Sequence, residues 1–251
     1  MTKKLFTILA GLALLVALAP AIGLADSING SASAGWQTWG PSVPTPGTGP
    51  YWNGVSSDTA NGPHEGIGYC ITGTGNCNMS PNPGSALPYW GYSNGSADGN
   101  ITFTPTGGGD KAAMTIEIAG NAGQNIFGYC DSNGCHQLFA GSATAGATAT
   151  FAPVGNYYYY IDDTAVGDTW YSNASQNSQG TGNQHFAVFN GGTGTFWLGM
   201  EDLPFSSSDK DYNDMVVEIT SGTPVPEPGT LTLLGTGLFG LAGFIRRRRA
   251  A

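Results

Sequence analysis

Apolar and polar residues alternate along several short segments from residue 101 onward. The alternation covers residues 101–104, 114–119, 186–190, 196–200 and 215–219. A period of two places every second side chain on the same face, which predicts β-strands with one buried face. Stretches rich in Gly and Asn separate these segments and predict turns. We therefore predict an all-β fold of about nine short strands, arranged as a two-sheet sandwich or a jelly roll.

The composition agrees with an all-β domain. Gly accounts for 40 of the 251 residues and Pro for 15, and both are poor residues for helix interiors. Hydrophobic residues make up 40% of the chain, enough to build a core, which argues against general disorder. No segment between Asp26 and Val225 has a convincing helical pattern. We predict one β-sandwich domain at residues 26–220, in which residues 26–90 are long loops and one or two strands held by aromatic packing.

Residues 1–25 have the pattern of a secretory signal peptide. Two lysines near the start precede an apolar run at residues 5–18, and small residues then lead to Ala25. A charged start, a short apolar segment and a small-residue cleavage site are typical of such signals. We predict a signal helix that is removed by cleavage before Asp26, so that the mature chain is exported.

A second apolar segment occupies residues 229–245, and four arginines follow it at residues 246–249. In a helix this segment would span roughly 25 Å, near the lower limit for crossing a bilayer. Arginines directly after an apolar segment favour the cytoplasmic side for that end. We predict a linker at residues 221–228, and then a single transmembrane helix with its arginine cluster at residues 229–249.

Three residues before this segment add a further signal. Pro226, Glu227 and Pro228 are followed by the apolar stretch and the arginines, and together these parts resemble the PEP-CTERM sorting signal. The resemblance implies that the chain is an exosortase substrate, held at the inner membrane, cut near the triplet and then located at the cell surface or outside. Families with this tail occur mainly in Gram-negative bacteria that make exopolysaccharide. An uncleaved single-span anchor is the alternative.

The predicted mature region is strongly acidic. Between residues 26 and 225 two lysines stand against 16 acidic residues, a net charge of −14. Such a surface repels nucleic acid, which we exclude as a partner, and attracts divalent cations.

Four cysteines in an exported chain indicate disulfides rather than zinc. They are Cys70, Cys77, Cys130 and Cys135. If Cys70 pairs with Cys77 and Cys130 pairs with Cys135, each disulfide closes its own hairpin-like loop. The two other connectivities remain open.

An acidic segment between two alternating stretches is the best candidate site. Within 14 residues it carries five carboxylates and one amide that offer oxygen ligands: Glu201, Asp202, Asp209, Asp211, Asn213 and Asp214. Crowded carboxylates repel one another unless they are protonated or bind a metal, and such hard oxygen donors suit Ca²⁺. The spacing is not that of an EF-hand, because the sixth position from Asp209 is not Gly and the twelfth is not Glu. A solvated acidic turn is the alternative.

The same segment is similar to a second family pattern. Its E-D-L, short spacer and D-x-D-Y-N-D sequence resembles an uncharacterised β-rich domain of bacterial surface proteins. That domain often accompanies calcium-associated repeats or PEP-CTERM tails. The resemblance implies that the six residues named above are metal ligands, and it implies no biological role.

Other motifs do not favour an enzyme. Residues 91–95 fit the G-x-S-x-G pattern, but no aliphatic strand precedes them and no helix can start after them. The three histidines have no metal-ligand spacing. Four consecutive tyrosines at residues 157–160 precede two aspartates, a pattern that also occurs on sugar-binding surfaces. We predict a non-enzymatic, exported surface or matrix protein with a Ca²⁺-stabilised β-sandwich. The alternative is a glycan-binding module of the exopolysaccharide matrix.

Overall fold

Alternating sequences become strands almost throughout the part of the chain that the structure describes. The structure is a computed structural model, and it describes residues 26–31, 33–40, 49–53, 66–73, 77, 79–178, 183–192, 194–222 and 237. The predicted signal peptide, the Pro-Glu-Pro triplet and, apart from Gly237, the predicted membrane helix lie outside these residues. No helix in the described ranges has the length and apolar character needed to cross a membrane. The described residues between 26 and 222 belong to one compact unit.

The described residues form thirteen strands and one short α-helix, called α1 (Ile67–Thr72). The strands are β1 (Ser27–Asn29), β2 (Gly35–Gln37), β3 (Tyr89–Gly91), β4 (Thr102–Thr104), β5 (Asp110–Glu117), β6 (Asn125–Asp131), β7 (Gly134–Phe139), β8 (Thr148–Phe151), β9 (Tyr158–Asp163), β10 (Asp168–Tyr171), β11 (Phe186–Gly192), β12 (Thr195–Met200) and β13 (Met215–Thr220). Two 3₁₀ turns lie at Tyr51–Asn53 and Ala174–Gln176. The all-β prediction is confirmed, although the expected number of strands was too low because the additional strands are only three or four residues long.

Two antiparallel sheets enclose the main core. The larger has the order β2-β3-β11-β12-β13-β5-β8, the smaller has the order β10-β9-β6-β7, and β1 pairs with β4 in a separate ribbon. Every second residue of the central strands points into the space between the sheets. The buried side chains there come from both sheets and include Phe127, Tyr159, Trp170, Val188, Leu198, Met215 and Val217. This arrangement is consistent with a β-sandwich.

The large sheet is also covered on its other face. Ala187, Phe189, Trp197 and Val216 alternate with the residues of the main core and pack against a second buried group. That group comes from the early part of the chain and includes Trp52, Ile67, Cys70, Ile71 and Tyr89. The Trp52 ring meets the Phe189 ring edge-on, with 4.9 Å between centroids. Both faces of the central strands are therefore buried, which explains their nearly continuous hydrophobic sequence.

Helix α1 differs from the expectation that residues 26–225 contain no helix. Ile67, Cys70 and Ile71 are buried against the sheet, and the helix ends at Gly73 with a left-handed backbone (φ 68°). Gly68 allows the close packing, because a Cβ there would lie 2.8 Å from the Trp39 ring. Six residues are too few to produce a visible 3.6-residue period, so the helix depends on tertiary burial.

Both disulfides follow the local pairing, Cys70–Cys77 and Cys130–Cys135. The second joins β6 to β7 across a tight turn, as expected for a hairpin-like loop. The first does not close a hairpin, because Cys70 lies on α1. The shared Gly-Tyr-Cys sequence therefore adopts a helix in one place and a strand in the other.

Candidate metal centre

The acidic segment, residues 201–214, connects the neighbouring strands β12 and β13 and folds back over the large sheet. A Cβ at Gly199 would lie 2.6 Å from the Tyr212 carbonyl oxygen, so glycine is required for this approach. The Tyr212 hydroxyl donates a hydrogen bond to the Gln184 carbonyl at 2.7 Å. Lys210 and Tyr212 both have left-handed backbone conformations, with φ of 62° and 57°. These turns reverse the chain so that Asp209 and Asp211 return toward Glu201.

Glu201 is the innermost acidic residue of the segment and has no exposed surface. One carboxylate oxygen, Oε1, accepts a hydrogen bond from the Tyr212 backbone N–H at 2.7 Å. The other oxygen, Oε2, accepts one from the Ser208 hydroxyl. Both oxygens of the carboxylate are thus hydrogen-bonded, and its charge is buried.

Asp211 and Asp209 approach Glu201 from the other end of the segment. Asp211 is buried, and its Oδ1 accepts the Asn213 backbone N–H at 3.1 Å, while Asp209 is exposed. One ligand oxygen from each of Glu201, Asp209 and Asp211 lies within 4.8 Å of the others. The three oxygens are close enough to bind one cation, and they leave one side open to solvent at Asp209.

Asp202 and Asp214 lie outside this group of three carboxylates, whereas Asn213 contacts it through Asp211. Asn213 directs its amide Nδ2 to Asp211 Oδ2 at 2.9 Å. Asp214 Oδ2 accepts the backbone N–H of Asp202 at 3.0 Å. Asp202 Oδ2 in turn accepts a hydrogen bond from Asn125 Nδ2 at 2.8 Å. Asp202 and Asp214 therefore form a second acidic group beside the first, and their role as ligands stays a prediction.

This second group includes residues that the sequence analysis missed. Asn125 begins β6 and pairs in register with Asp163 at the end of β9, and both are fully buried. Burial, and to a smaller extent the charge of Asp163, raise the pKa of Asp202. The Asn125 Oδ1 atom is buried and has no hydrogen-bond partner among the described residues. These residues are 38 positions apart along the chain, and only the pairing of β6 with β9 brings them together.

Burial dominates the electrostatics of the segment. It raises the pKa of Glu201 to about 7, an effect increased by the charges of Asp209 and Asp202 and reduced by the hydrogen bonds from Ser208 and Tyr212. Burial also raises the pKa of Asp214 well above its usual range, with Glu201 as the next cause. Because these carboxyl groups lose hydration and repel each other, a proton or a cation is needed to stabilise them together.

His185 is buried and packs against the acidic segment. Its ring is stacked between Trp170 (centroids 3.9 Å apart) and Phe205 (4.3 Å apart). Nδ1 lies 3.1 Å from the Glu201 carbonyl oxygen, and burial lowers the pKa of the imidazole to about 4. The ring is therefore neutral at pH 7 and adds no positive charge to balance the carboxylates.

Family models match two parts of the chain. Residues 121–222 match a domain of unknown function (DUF4114), and residues 224–249 match the PEP-CTERM protein-sorting motif. The chain carries a PEP-CTERM sorting signal. The signal implies recognition by an exosortase and export through a membrane-anchored intermediate. No curated protein and no solved structure matches this chain.

The domain match in this PEP-CTERM chain starts just before β6 and ends directly after β13. It therefore contains the whole acidic segment together with Asn125 and Asp163. Strands β1–β5 and α1 lie outside the match, although β5 pairs with both β13 and β8 inside the large sheet. The early part of the chain thus completes a sheet whose centre is the matched domain.

Removing the Glu201 charge should change how stability depends on pH. The folded-state pKa is raised above the ordinary value, so the free energy of unfolding falls as pH rises from about 4.5 to about 7. In EDTA, the decrease in the free energy of unfolding with rising pH should be about 1–3 kcal/mol smaller in Glu201→Gln than in the wild type. Urea unfolding of residues 26–222 at pH 5 and pH 8 measures it.

Asp168→Asn is the matched control, because Asp168 lies on β10 outside the segment. In that variant the free energy of unfolding should differ between pH 5 and pH 8 by as much as in the wild type. An equal difference in wild type and Glu201→Gln would contradict the assignment.

Proposed function

We propose that this chain is an exported, non-enzymatic protein of the cell surface or extracellular matrix, whose β-sandwich is stabilised by Ca²⁺ bound in residues 201–214. The observation that carries the proposal is the group of Glu201, Asp209 and Asp211, with oxygens within 4.8 Å of one another and Glu201 fully buried. The sorting signal supports the exported location.

The chemistry of the donors favours calcium over other metals. All three are carboxylates, which are hard ligands, and neither His nor Cys belongs to the group. Calcium accepts irregular sets of six to eight oxygens, whereas Mg²⁺ requires a near-octahedral set and keeps its waters. Two of the three carboxylates come from a loop with two left-handed residues, so the donor set is irregular.

Two local structures support a non-enzymatic role. Residues 91–95, which fit the G-x-S-x-G pattern, form a tight turn in which the Gly95 N–H bonds to the Tyr92 carbonyl at 2.9 Å. The strand that precedes this turn, β3, is short and aromatic rather than aliphatic, and in the described residues no helix follows the turn. His185 is stacked between two rings, and its Nδ1 contacts a backbone carbonyl. Neither arrangement is that of a nucleophile with its base.

Calcium should raise the thermal midpoint of residues 26–222. A free Ca²⁺ concentration 100-fold above Kd adds about 2.7 kcal/mol, which corresponds to a shift of roughly 5–10 °C for a domain of this size. Asp211→Asn should lose most of the shift, because it removes one of the three carboxylates. Melts in EDTA and in millimolar Ca²⁺, followed by circular dichroism, measure both.

Asp168→Asn serves again as the control and should keep the full shift. An unchanged wild-type midpoint would remove the calcium proposal, and an equal shift in Asp211→Asn would place the ion elsewhere.

A specific surface favours glycan binding as the second candidate. Tyr158 and Tyr160 of β9 and Tyr171 of β10 are partly exposed on the outer face of the small sheet. The Tyr171 ring lies 5.8 Å from that of Tyr158 and 6.3 Å from that of Tyr160. Gly128 on the adjacent strand makes room, because a Cβ there would lie 2.6 Å from the Tyr160 ring. Clustered tyrosines of this kind offer apolar faces and hydroxyls to sugar rings.

If these tyrosines bind glycan, Tyr160→Ala should reduce binding at least fivefold. Affinity electrophoresis through gels that contain bacterial exopolysaccharides measures the retardation. Tyr92→Ala, a partly exposed tyrosine in the turn after β3, is the control and should migrate like the wild type. Unretarded wild-type protein in every polysaccharide would eliminate this candidate.

A further inference from the structure

The residue that follows the predicted signal-peptide cleavage site is buried. Asp26 is 3% exposed. Its Oδ1 accepts hydrogen bonds from the backbone N–H and the hydroxyl of Thr106, at 3.0 and 3.2 Å. Its Oδ2 accepts the hydroxyl of Tyr157 at 2.7 Å. A freshly cut chain end is usually exposed and mobile, so this burial calls for an explanation.

The backbone nitrogen of Asp26 lies beside the last described residues of the domain, Ser221 and Gly222. It donates a hydrogen bond to the Ser221 hydroxyl at 3.1 Å. The next residue, Gly222, donates its own N–H to Asp110 Oδ1 at 3.2 Å. We call the group formed by Asp26, Asp110, Tyr157, Ser221 and Gly222 the Asp26 pocket.

The Asp26 pocket holds two carboxylates. Asp110 is 2% exposed, its Oδ2 accepts from no donor among the described residues, and its carboxyl group lies within hydrogen-bonding reach of the Asp26 carboxyl group. Burial, and next the charge of Asp26, raise the pKa of Asp110 to about 7. An acceptor atom left unpaired in a buried acidic pair is the position where a cationic donor would bind.

Within the part of the chain that the structure describes, the groups around the pair provide no positive charge. The titratable side chains that interact with it are Tyr129, Tyr157 and Tyr159, all of them neutral phenols. Lys111 follows Asp110 along β5, but its side chain is exposed. Among the described residues, the Asp26 nitrogen is therefore the group that can become the missing cation.

We propose that the Asp26 pocket is a binding site for the α-ammonium group that forms at Asp26 when the signal peptide is removed. Hydrolysis breaks the Ala25–Asp26 peptide bond: water adds its hydroxyl to the Ala25 carbonyl carbon and a proton to the Asp26 nitrogen. The amine takes a second proton from solvent at neutral pH. The step needs only water and a peptidase of the export pathway, and the inference rests on the export given in the proposed function.

Processing then changes the charge inside the pocket from two carboxylates to two carboxylates and one cation. Before cleavage the nitrogen is a neutral amide, so one carboxyl must keep a proton or the domain is less stable. After cleavage the ammonium balances the pair and strengthens the contact with Ser221. Signal-peptide removal thereby stabilises the boundary from which the sorting tail continues.

The two forms should lose stability in different pH ranges. Without the ammonium, the raised pKa of Asp110 makes stability fall as pH rises from about 4 to about 7. With it, the charge pair that stabilises the pocket exists only while the α-amine is protonated. That stabilisation is present at neutral pH and is lost at alkaline pH, where the amine loses its proton.

The test compares residues 26–222 beginning at Asp26 with the same chain preceded by Gly-Ser, each with and without Asp110→Asn. Urea unfolding from pH 5 to pH 10 in EDTA keeps the calcium site out of the comparison. At pH 7 the unfolding equilibrium constant of the chain that begins at Asp26 should be at least tenfold smaller than that of the Gly-Ser chain. When both chains carry Asp110→Asn, this ratio should be threefold or less. A steric effect of the extension would survive Asp110→Asn undiminished, and that result would overturn the proposal.

A second readout follows the amine itself. Acylation of the α-amine at pH 7 by an N-hydroxysuccinimide ester should be at least tenfold slower in the native-start chain than in the Gly-Ser chain. Equal rates would mean that the amine is exposed and would overturn the proposal.

The intact mass of the exported protein separates the two proposals. A new terminus at a residue other than Asp26 overturns the pocket and leaves the exported function standing. A chain that keeps its first 25 residues contradicts both.

Discussion

Buried negative charge is the constraint on which this structure depends. Among the described residues seven carboxylate side chains are almost completely buried: Asp26, Asp98, Asp110, Asp163, Glu201, Asp202 and Asp211. The predicted mature region has two lysines, so side-chain cations cannot balance them. Each buried carboxylate must therefore find donors in the backbone, keep a proton or bind a cation from elsewhere.

The fold uses different solutions at different carboxylates. Asp98 accepts four hydrogen bonds, two of them from Ser31 and the others from Trp90 and Asn100, so its charge is dispersed over neutral donors. Among the described residues, Asp110 accepts one backbone N–H, that of Gly222. Glu201 accepts two and stands beside two further carboxylates. The poorly satisfied groups are the ones for which we propose an added cation: the α-ammonium at Asp110 and Ca²⁺ at Glu201.

Sequence reasoning succeeded where the pattern is local. The alternation at residues 196–200 and 215–219 predicted β12 and β13, and hence the connection that carries Glu201 and Asp211. It could not divide the six candidate ligands into two groups, because that division depends on the left-handed turns at Lys210 and Tyr212. Asn125 and the pair of Asp26 with Asp110 were missed because strand pairing and the meeting of the chain ends bring them together. Helix α1 was missed because Ile67 and Ile71 form a helix only when they can pack on the large sheet.

Anomalous diffraction tests the central claim most directly, using crystals of the mature protein starting at Asp26 and grown in millimolar Ca²⁺. The account predicts an anomalous peak among the oxygens of Glu201, Asp209 and Asp211. It predicts no such peak in the Asp26 pocket, where the chain's own nitrogen balances the charge. Absence of a peak at Glu201, or a metal between Asp26 and Asp110, would contradict it.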